Sequence, residues 1–415
     1  MTRIPTVPRY LAPRLRESLA DSPSVLIHGP RQSGKTTLAR RVGEARGYRY
    51  VSFDDQAVLA AAKYDPVGFV AGLPARVILD EVQRAPEIFT SLKSAIDQRR
   101  SAGRFMLTGS ANVLLVPALA DSLAGRMAIL RLHPLAQCEI EGARPRFLDT
   151  LFRAAFRAGV ADPLGAGLAE RIVAGGYPAA LARRAAARRR AWYRDYAETQ
   201  IQRDVRDLSR LRSLDTLPKL MAMAATQTAR LINVEELAAP FELTRQTIHE
   251  HVTLLERVFL LERLPAWHTN RLSRLVKRPK LHVGDTGVAC ALLGIDAKQL
   301  ASDRALLGAL LETFVLQELR RQSSWLQDPV DFFHFRDRDD FEVDIVVEQG
   351  ALAVAGIEVK AARSVNEADL RGLRKLRDAA GMRFRAGVLL YDGAATIAYG
   401  DRLFAVPIRR LWEPA

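Results

Sequence analysis

The stretch with the clearest chemical meaning is Val25–Arg40, which has the sequence VLIHGPRQSGKTTLAR. Four residues typical of a β-strand lead into a loop framed by glycines, and the residues after Lys35 are typical of a helix start. Gly29 and Gly34 allow the backbone to wrap around phosphate groups without clashes from a Cβ atom. The N–H groups of the loop and of the helix N-terminus would then donate hydrogen bonds to those phosphates. The pattern predicts a site for a nucleoside triphosphate.

The residues of this loop and of a later acidic pair have separate expected roles. Lys35 is expected to reach the β- and γ-phosphates, and the Thr36 hydroxyl is expected to bind Mg²⁺. Asp80 is expected to hold the same Mg²⁺ through water, and Glu81 to orient or deprotonate the attacking water. The complete set predicted to bind ATP and its Mg²⁺ is Gly29, Pro30, Arg31, Gln32, Ser33, Gly34, Lys35, Thr36, Thr37, Asp80 and Ser110.

Two further positions are candidates for contact with the γ-phosphate. Thr108 or Ser110, at the end of the next predicted strand, could sense it. Arg126, in the sequence LAGR, is a candidate arginine finger or sensor that would act in the same chain or on a second copy. The alternative for Arg126 is a surface arginine held in a salt bridge.

A second group of ionisable residues lies near the C-terminus. Residues 341–347 alternate as in a β-strand, which places Asp344 on one face with Glu342. Glu358 and Lys360 likewise share one face of a later strand. Glu312 has apolar neighbours on a predicted helix, and a carboxylate is costly to bury there without a partner. These residues could form one site, whereas Glu318 on the same helix is predicted to lie at its rim.

The strands and helices that would position these residues follow from the apolar patterns. Apolar runs near 25–28, 48–55, 76–81 and 104–110 alternate with helical segments, and residues 10–20 predict a leading helix. This order predicts a doubly wound α/β sheet. Ligands bind such sheets at the carboxyl ends of the strands, where the polar residues of the first group cluster.

The middle of the chain predicts a helix–turn–helix–wing arrangement over 216–265. Thr244 can cap a second helix whose residues Ile248, Val252 and Leu255 point inward. The same spacing leaves Arg245, Gln246, His249 and His251 free, and the residues predicted to contact nucleic acid are Arg245, Gln246 and His249. The alternative is a module that only packs against its neighbours or forms a lid. Residues 281–293 are predicted to be a connector.

The remaining segments complete the outline of the fold. Residues 136–215 are helical and rich in arginine, which suits a solvated surface or a nucleic-acid contact. The last part predicts a second α/β unit, with a helix over 304–322, strands over 331–336, 341–348, 353–360 and 386–391, and a helix over 367–379.

The overall composition limits the classes of protein. The 415 residues carry a net charge of +14, which suits a polyanionic partner, although an arginine-rich composition also follows from a GC-rich genome. The sequence lacks an apolar run long enough for a membrane span, and no export signal is evident. Two cysteines without metal or redox spacing argue against a disulfide or zinc framework and favour the cytoplasm.

Several motifs resemble a known family. GPRQSGKTTLAR, VILDEVQRAP, LTGSANVLLV and LAGRMAILRLHPL resemble the AAA+ ATPases of the archaeal-ATPase-like group. GGYP, KRPKLHVGDTG, LLETFVLQEL and the stretch from Trp192 to Asp204 resemble the C-terminal domain of uncharacterised function that accompanies this group. The resemblance implies an AAA+ core, a winged helix and a C-terminal restriction-endonuclease-like fold.

The C-terminal residues also resemble the PD-(D/E)XK nuclease pattern. The resemblance implies that Asp344 and Glu358 bind Mg²⁺ or Mn²⁺, with Lys360 positioning or acidifying the attacking water and Glu312 completing the catalytic set. The alternative is that Glu358 and Lys360 form a structural pair in a domain that has lost its activity.

Together these patterns predict an α/β protein with four parts. They are an AAA+ P-loop ATPase core (1–135), a helical lid or connector (136–215), a winged-helix module (216–285) and a PD-(D/E)XK nuclease-like domain (286–415). The predicted function is ATP hydrolysis coupled to action on nucleic acid, DNA in preference to RNA, with metal-dependent cleavage by the last domain. The alternatives are an ATP-gated regulator that binds DNA or protein, and an inactive scaffold. A homo-oligomer or another protein partner would be compatible with either class.

Overall fold

The computed structural model describes residues 7–110, 123–205, 215–241 and 243–413. Two predicted features extend beyond these ranges. The second half of the LTGSANVLLV motif falls at 111–116, and the end of the arginine-rich region falls at 206–210, so both lie outside the described residues.

The N-terminal part is built on a five-stranded parallel sheet with the strand order β2-β3-β4-β1-β5. The predicted α/β class is therefore confirmed. Buried apolar side chains of these strands and of the flanking helices form the two layers of core on its faces. The strands are β1 (Ser24–His28), β2 (Arg49–Ser52), β3 (Val77–Asp80), β4 (Phe105–Gly109) and β5 (Met127–Arg131). The helices are α1 (Ala12–Asp21), α2 (Lys35–Glu44), α3 (Gln56–Tyr64), α4 (Pro66–Ala71) and α5 (Ile88–Gln98).

The next segment is mainly helical, as predicted, but it also joins the C-terminal sheet. A short strand, β6 (Gly159–Val160), pairs with Ala395 and Thr396. One continuous apolar core includes residues from Ala136 to Trp412, so the segment and the C-terminal half of the chain share a core. Its helices are α6 (Gln137–Glu141), α7 (Phe147–Arg153), α8 (Ala166–Ala174), α9 (Pro178–Leu181) and α10 (Ala186–Thr199).

The described residues between 216 and 283 form a three-stranded antiparallel sheet and four α-helices, of which the first three precede the strand Leu261–Leu264. The sheet has the order β7-β9-β8, in which β9 (Lys280–Val283) lies between β7 (Arg230–Leu231) and β8 (Leu261–Leu264). The first three helices are α11 (Thr216–Thr226), α12 (Val234–Ala238) and α13 (Arg245–Arg257). This order of elements is compatible with the predicted winged helix, which stays a prediction.

Helix α13 begins as predicted, because the Thr244 hydroxyl accepts a hydrogen bond from the Thr247 N–H at 3.2 Å. The three residues predicted to point inward are buried. The prediction for His251 was wrong. The residue is 3% exposed, so it lies on the buried side of the helix, as Val252 and Leu255 do.

The predicted connector over 281–293 was also wrong, because this segment forms β9 and the helix α15 (Thr286–Leu293). Asp285 begins α15 by accepting a hydrogen bond from the Gly287 N–H at 2.9 Å. Gly294 ends it in the left-handed conformation with φ 72°. Most of α15 is buried, so its continuous apolar sequence lacks the alternation that marks a surface helix. The short helix α14 (Arg271–Val276) precedes β9.

The C-terminal part contains the long helix α17 (Arg304–Ser323), after α16 (Ala297–Ser302), and a seven-stranded mixed sheet. Both predicted helices and all four predicted strands are present, although the second helix begins at Arg371, after a 3-10 turn over Glu367–Leu370. The last two strands were not predicted. The sheet order is β10-β11-β12-β13-β15-β14-β6. The additional elements are β10 (Val330–Arg336), β11 (Glu342–Gln349), β12 (Ala353–Lys360), α18 (Arg371–Ala380), β13 (Phe384–Tyr391), β14 (Ala395–Ala398) and β15 (Leu403–Pro407).

Within the described ranges, the helices are all too short or too polar to cross a bilayer.

Candidate functional site

The predicted phosphate loop connects β1 to α2 at the carboxyl edge of the parallel sheet. Gly29 has φ 148°, and a Cβ atom there would lie 2.2 Å from the carbonyl oxygen of Leu132. Gly34 has φ 97° and directly precedes α2. Both positions therefore require glycine, as the sequence predicts.

Lys35 lies in the loop with its side chain folded over the backbone. Its ammonium group donates hydrogen bonds to the carbonyl oxygens of Gly29 at 3.0 Å and Pro30 at 2.9 Å. The residue is 4% exposed. A buried ammonium at the mouth of an anion-binding loop can exchange these carbonyl contacts for stronger, charge-assisted bonds to phosphate.

Asp80 lies at the end of β3, directly across from the start of α2. The hydroxyls of Thr36 and Tyr50 each donate a hydrogen bond to its carboxylate at 2.8 Å, and the Thr108 hydroxyl also contacts it. The paired oxygens of Thr36 and Asp80 fit the preference of Mg²⁺ for hard ligands, so these two residues would hold the ion that accompanies ATP. Burial, with a hydrogen bond to Asp80, raises the pKa of Tyr50 to about 12. Tyr50 was not predicted as part of the site.

Glu81 follows Asp80 in the left-handed backbone conformation, with φ 58°. Its carboxylate accepts a hydrogen bond from the Ser110 hydroxyl at 2.7 Å and contacts the side-chain amide of Gln83. The Gln83 amide also donates to the Ser110 hydroxyl at 3.1 Å. Gln83, which helps to hold the Glu81 carboxylate in place, was not predicted from the sequence. The arrangement suits a carboxylate that must orient a water molecule.

Arg126 does not lie at this site. It precedes β5, and its carbonyl oxygen accepts hydrogen bonds from Ser24, so it is at the amino edge of the parallel sheet. Its guanidinium group forms a two-pronged salt bridge with Asp97, at 2.6 and 3.0 Å. The prediction of a finger or sensor within the same chain was therefore wrong, and the salt-bridge alternative describes the geometry. The polar residues predicted with it, Thr108 and Ser110, are at the opposite, carboxyl edge.

A cavity of about 1090 Å³ adjoins the phosphate loop. It is lined by loop residues from Arg31 to Thr37, by the N-terminal segment 7–16 and by the start of α9. Arg9 connects the N-terminal segment to the loop, because its guanidinium group donates a hydrogen bond to the carbonyl oxygen of Ser33 at 2.7 Å. The same group donates to the Glu139 carboxylate of α6 at 3.0 Å. The size and the mixed lining suit the remainder of a nucleotide.

His28, the last residue of β1, lies beneath the loop and is expected to make stability depend on pH. Burial lowers the pKa of its ring to about 3, assisted by the charges of Arg131 and Lys35. Because the unfolded chain takes up this proton near pH 6.5, the folded state should lose stability as the pH falls from 6.5 towards 3. The expected slope approaches about 1.4 kcal/mol per pH unit for this one group.

The measurement is the unfolding midpoint as a function of pH for wild type and two variants. His28→Asn should flatten the slope by the contribution of one proton. His249→Asn is the matched control, because that ring is exposed on α13, and it should leave the slope unchanged. An identical slope in His28→Asn and wild type would contradict the expectation.

The second predicted site is assembled at the junction of α17, β11 and β12. Glu312 and Asp344 both approach the ammonium group of Lys280, at 2.9 and 3.4 Å, and Glu342 also contacts it. Lys360 pairs with Glu358 on β12 at 3.4 Å. The four predicted residues therefore meet around one place, and Lys280 from β9 is an unpredicted member.

The protonation of this cluster follows from its burial. Burial and then the neighbouring Asp344 carboxylate raise the pKa of Glu358 well above its usual value. One buried oxygen of Glu358 is without a hydrogen-bond partner among the residues that the structure describes. Burial would lower the pKa of Lys280, but Glu312, Asp344 and Glu342 raise it above its usual value.

This arrangement does not fit a divalent metal ion as the nuclease resemblance implies. The ammonium group of Lys280 lies against the carboxylates that would have to bind the metal. Both oxygens of the Asp344 carboxylate already have a partner, because the second oxygen accepts a hydrogen bond from the Val359 N–H at 2.9 Å. Across the described residues, no cluster of three or more acidic, histidine or cysteine side chains has the geometry to hold a metal.

Glu318 was predicted to be a rim residue, and this prediction was wrong. Its side chain is fully buried one turn before the end of α17. The carboxylate pairs with Arg321 at 2.7 Å and accepts a hydrogen bond from the Gln137 N–H at 2.9 Å. It therefore connects α17 to α6 rather than facing the carboxylate cluster.

The residues predicted to contact nucleic acid lie on the exposed face of α13. Arg245 pairs with Glu235 at 2.6 Å, and Gln246 donates a hydrogen bond to Glu250 at 2.8 Å. His249 is also exposed. The three side chains share an accessible surface, while the contact with nucleic acid stays a prediction.

Three family models match separate parts of the chain. A model described as "AAA domain" matches residues 21–141. Two models described as "Domain of unknown function (DUF8612)" and "Domain of unknown function (DUF4143)" match residues 165–299 and 307–411. The AAA match contains the phosphate loop, Asp80, Glu81 and Ser110.

The chain is also similar to full-length relatives and to solved structures. Uncharacterized proteins of Mycobacterium tuberculosis and Mycobacterium bovis are each 29% identical over 402 residues, covering 96% of this chain and 83% of the relative. A Walker-type ATPase of Pyrococcus abyssi has a TM-score of 0.44 and 16% identity, covering 70% of this chain and 97% of that one. The RuvB Holliday junction branch migration motor of Thermotoga maritima has a TM-score of 0.28 and 22% identity, covering 61% and 85%.

The AAA match and the geometry agree on the N-terminal site. Residues 21–141 are an AAA domain of the P-loop ATPase class, which binds ATP and hydrolyses it.

Proposed function

We propose that this chain is an ATP-gated regulator that binds nucleic acid, in which the nucleotide state of the AAA domain controls the helical and C-terminal parts. One observation carries the proposal. A chain of buried hydrogen bonds and ion pairs leads from the phosphate loop to the long helix α17 of the C-terminal part. We place the protein in the cytoplasm, as its cysteine content suggests.

The chemistry at the AAA domain follows from residues already described. Lys35 and the loop N–H groups bind the phosphates of ATP. Thr36 and Asp80 would hold the accompanying Mg²⁺, which would neutralise charge on the phosphates. Glu81, fixed by Ser110 and Gln83, orients the attacking water in line with the γ-phosphate. When the γ-phosphate leaves after hydrolysis, the loop loses its hydrogen bonds to that group.

The first part of the connection joins the loop to the helical region. The Tyr196 hydroxyl donates a hydrogen bond to the carbonyl oxygen of Arg31 at 3.3 Å, and it also contacts the Tyr177 hydroxyl at 3.0 Å. Tyr177 belongs to the GGYP motif (175–178), which directly precedes α9 at the wall of the nucleotide cavity. A displacement of Arg31 on ATP binding would therefore reach α9 and α10 directly.

The second part joins the same motif to the C-terminal helix. The Gly176 N–H donates to Asp285 at 2.9 Å, and Asp285 pairs with Arg321 at 3.0 Å. Arg321 also pairs with Glu318 and donates to the carbonyl oxygen of Leu135 at 2.9 Å. Asp285, Arg321 and Glu318 are fully or almost fully buried. Because buried charges tolerate little separation, these elements should move together.

The case for nucleic acid rests on charge and on accessible side chains. The net charge of +14 favours a polyanion. Arg245 and His249 lie on the exposed face of α13, and the order of elements around this helix supports a winged-helix module. Arg184 and Arg188, near the start of α10, are exposed and offer a second basic surface.

We expect the affinity for a DNA duplex to fall steeply with added salt, because bound phosphates release counterions. Arg245→Ala should weaken binding further. It should also reduce the slope of the logarithm of the affinity against the logarithm of the salt concentration by about one. The measurement is fluorescence anisotropy of a labelled duplex at several salt concentrations. Arg304→Ala is the matched control, since this exposed arginine begins α17. An unchanged dissociation constant for Arg245→Ala would show that Arg245 does not contact the DNA. Arg184 and Arg188 would then be tested.

The test of the regulator is the same anisotropy measurement with ATP, with ADP and without nucleotide. The proposal requires different affinities in the ATP and ADP states, and Lys35→Ala should remove the difference. Equal affinities in every nucleotide state would refute gating. Single-stranded DNA and RNA, measured alongside the duplex, would establish the preferred nucleic acid.

A second candidate function is metal-dependent cleavage of nucleic acid by the C-terminal part. The convergence of Glu312, Asp344, Glu358 and Lys360 favours it. Incubation with DNA, Mg²⁺ or Mn²⁺ and ATP, with Asp344→Ala, Lys360→Ala and EDTA as controls, would detect it. The position of Lys280 argues against it.

A further inference from the structure

The carboxylate cluster of the C-terminal part already contains a cation of its own. We propose that the ammonium group of Lys280 serves as the cation of this cluster in place of a metal ion, so that the site is a metal-free clasp between the three-stranded sheet and the C-terminal domain. The inference concerns the charge of this site and does not depend on nucleic-acid binding.

The first step is the match between donors and acceptors. A protonated lysine has three N–H donors. The ammonium group of Lys280 contacts three carboxylates: Glu312 at 2.9 Å, Asp344 at 3.4 Å, and Glu342. The Lys280 side chain is 3% exposed, so these carboxylates replace the water that the charge would otherwise hold.

The second step is how the lysine is held. Its strand β9 is the central strand of the three-stranded sheet, and Lys280 pairs with Leu231 on one side and Leu264 on the other. Two residues along the strand, His282 contacts the Thr313 hydroxyl of α17 at 3.0 Å. The ammonium group therefore approaches the carboxylates from a fixed strand, unlike a surface lysine that could swing away.

The third step is the competition with a divalent ion. A metal ion bound by Asp344 and Glu358 would lie close to the ammonium group and be repelled by it. Loss of the ammonium group would reverse this balance, because Glu312, Glu342 and Asp344 would then be left together without their cation. Glu312 and Asp344 are largely buried and would be unstable without a partner, whereas Glu342 is 35% exposed. The described side chains are not arranged to hold a metal while the lysine is present, and without it they would be free to turn towards a hard divalent ion.

The inference predicts that removal of the lysine creates a metal site. Lys280→Ala should lower the melting temperature of the full-length protein, and Mn²⁺ should restore it. We expect Mn²⁺ to bind this variant more than about tenfold more tightly than it binds wild type. The double variant Lys280→Ala with Asp344→Asn should not be rescued. Lys277→Ala is the matched control, because this exposed lysine lies three residues upstream and contacts only the carbonyl oxygen of Arg336 in the described contacts.

The experiment is titration of Mn²⁺ in the absence of nucleotide, followed by electron paramagnetic resonance and by thermal unfolding. Wild type and Asp344→Asn should bind Mn²⁺ equally weakly. Mn²⁺ binding by wild type that Asp344→Asn removes would overturn the proposal, and this comparison holds even if Lys280→Ala does not fold. Failure of Mn²⁺ to bind or stabilise a folded Lys280→Ala would also overturn it.

Discussion

Glu81→Gln is expected to reduce ATP turnover by about 10²–10³-fold while ATP binding stays close to that of wild type. The glutamine keeps the shape of the side chain and can still contact Ser110 and Gln83. It lacks the negative charge that orients and activates the attacking water. Lys35, which binds the phosphates, and Thr36, which would hold the Mg²⁺, are unchanged. The measurement is phosphate release at saturating ATP, together with the affinity for a fluorescent ATP analogue.

Two companion variants separate binding from chemistry. Lys35→Ala should weaken ATP binding itself, because the loop loses the charge-assisted bonds to the phosphates. It should retain the melting temperature of the free protein to within a few degrees. Glu87→Gln is the matched control for Glu81→Gln, since this exposed glutamate precedes α5 and should leave turnover unchanged. Hydrolysis at the wild-type rate by Glu81→Gln would refute the role of Glu81.

The sequence predicts the ATP site well because its signals are local. The phosphate loop requires only that a strand, a glycine-framed loop and a helix follow one another, and all three lie within Val25–Arg40. Asp80 and Glu81 could be placed because parallel strands end at the same edge of a sheet. Arg126 shows the limit of this argument, since an arginine just before a strand lies at the opposite edge.

The residues that sequence analysis missed belong to contacts between distant segments. Lys280 is 32 residues from Glu312 and 64 residues from Asp344, and a charged residue beside Pro279 has the pattern of a surface linker. Tyr50 faces Asp80 only because β2 and β3 are adjacent in the sheet. Of these three residues, only Gln83 could have been predicted from its place in the sequence, because it lies two residues after Glu81.

The same limit explains the errors in the C-terminal half. Helix α15 is buried on most sides, so apolar residues are favoured all around it. Its sequence therefore lacks the periodic spacing of apolar residues that marks an amphipathic helix. Glu318 has a charged neighbour, Arg321, one turn along α17, which is the usual pattern of an exposed helix face. Only the three-dimensional structure shows that Glu318 and Arg321 are buried together with Asp285.

This buried ion triad, Asp285–Arg321–Glu318, gives the largest expected effect on stability. Burial raises the pKa of both carboxyls, and the Arg321 guanidinium opposes that shift. Replacement of Arg321 with methionine would leave two buried carboxylates without their cation. We expect Arg321→Met to lower the free energy of unfolding by about 3–5 kcal/mol.

A structural role alone would lower stability without changing regulation, so a second measurement is needed. At a temperature where Arg321→Met is folded, we expect the ATP and ADP states to bind nucleic acid with nearly equal affinity. The ATPase rate in the absence of nucleic acid should change less, because Lys35, Asp80 and Glu81 are on other elements. Urea unfolding and anisotropy give the two quantities.

The control and the decisive outcomes follow from the position of the triad. Arg304→Met removes an exposed arginine from the same helix and should leave both the urea midpoint and the nucleotide dependence unchanged. A folded Arg321→Met protein that retains the full difference between its ATP and ADP states would exclude the triad as the connection. Asp285→Asn should then be tested for the Gly176 contact, because it keeps the shape of the side chain but replaces one acceptor oxygen, and the charge, with a neutral NH₂ donor.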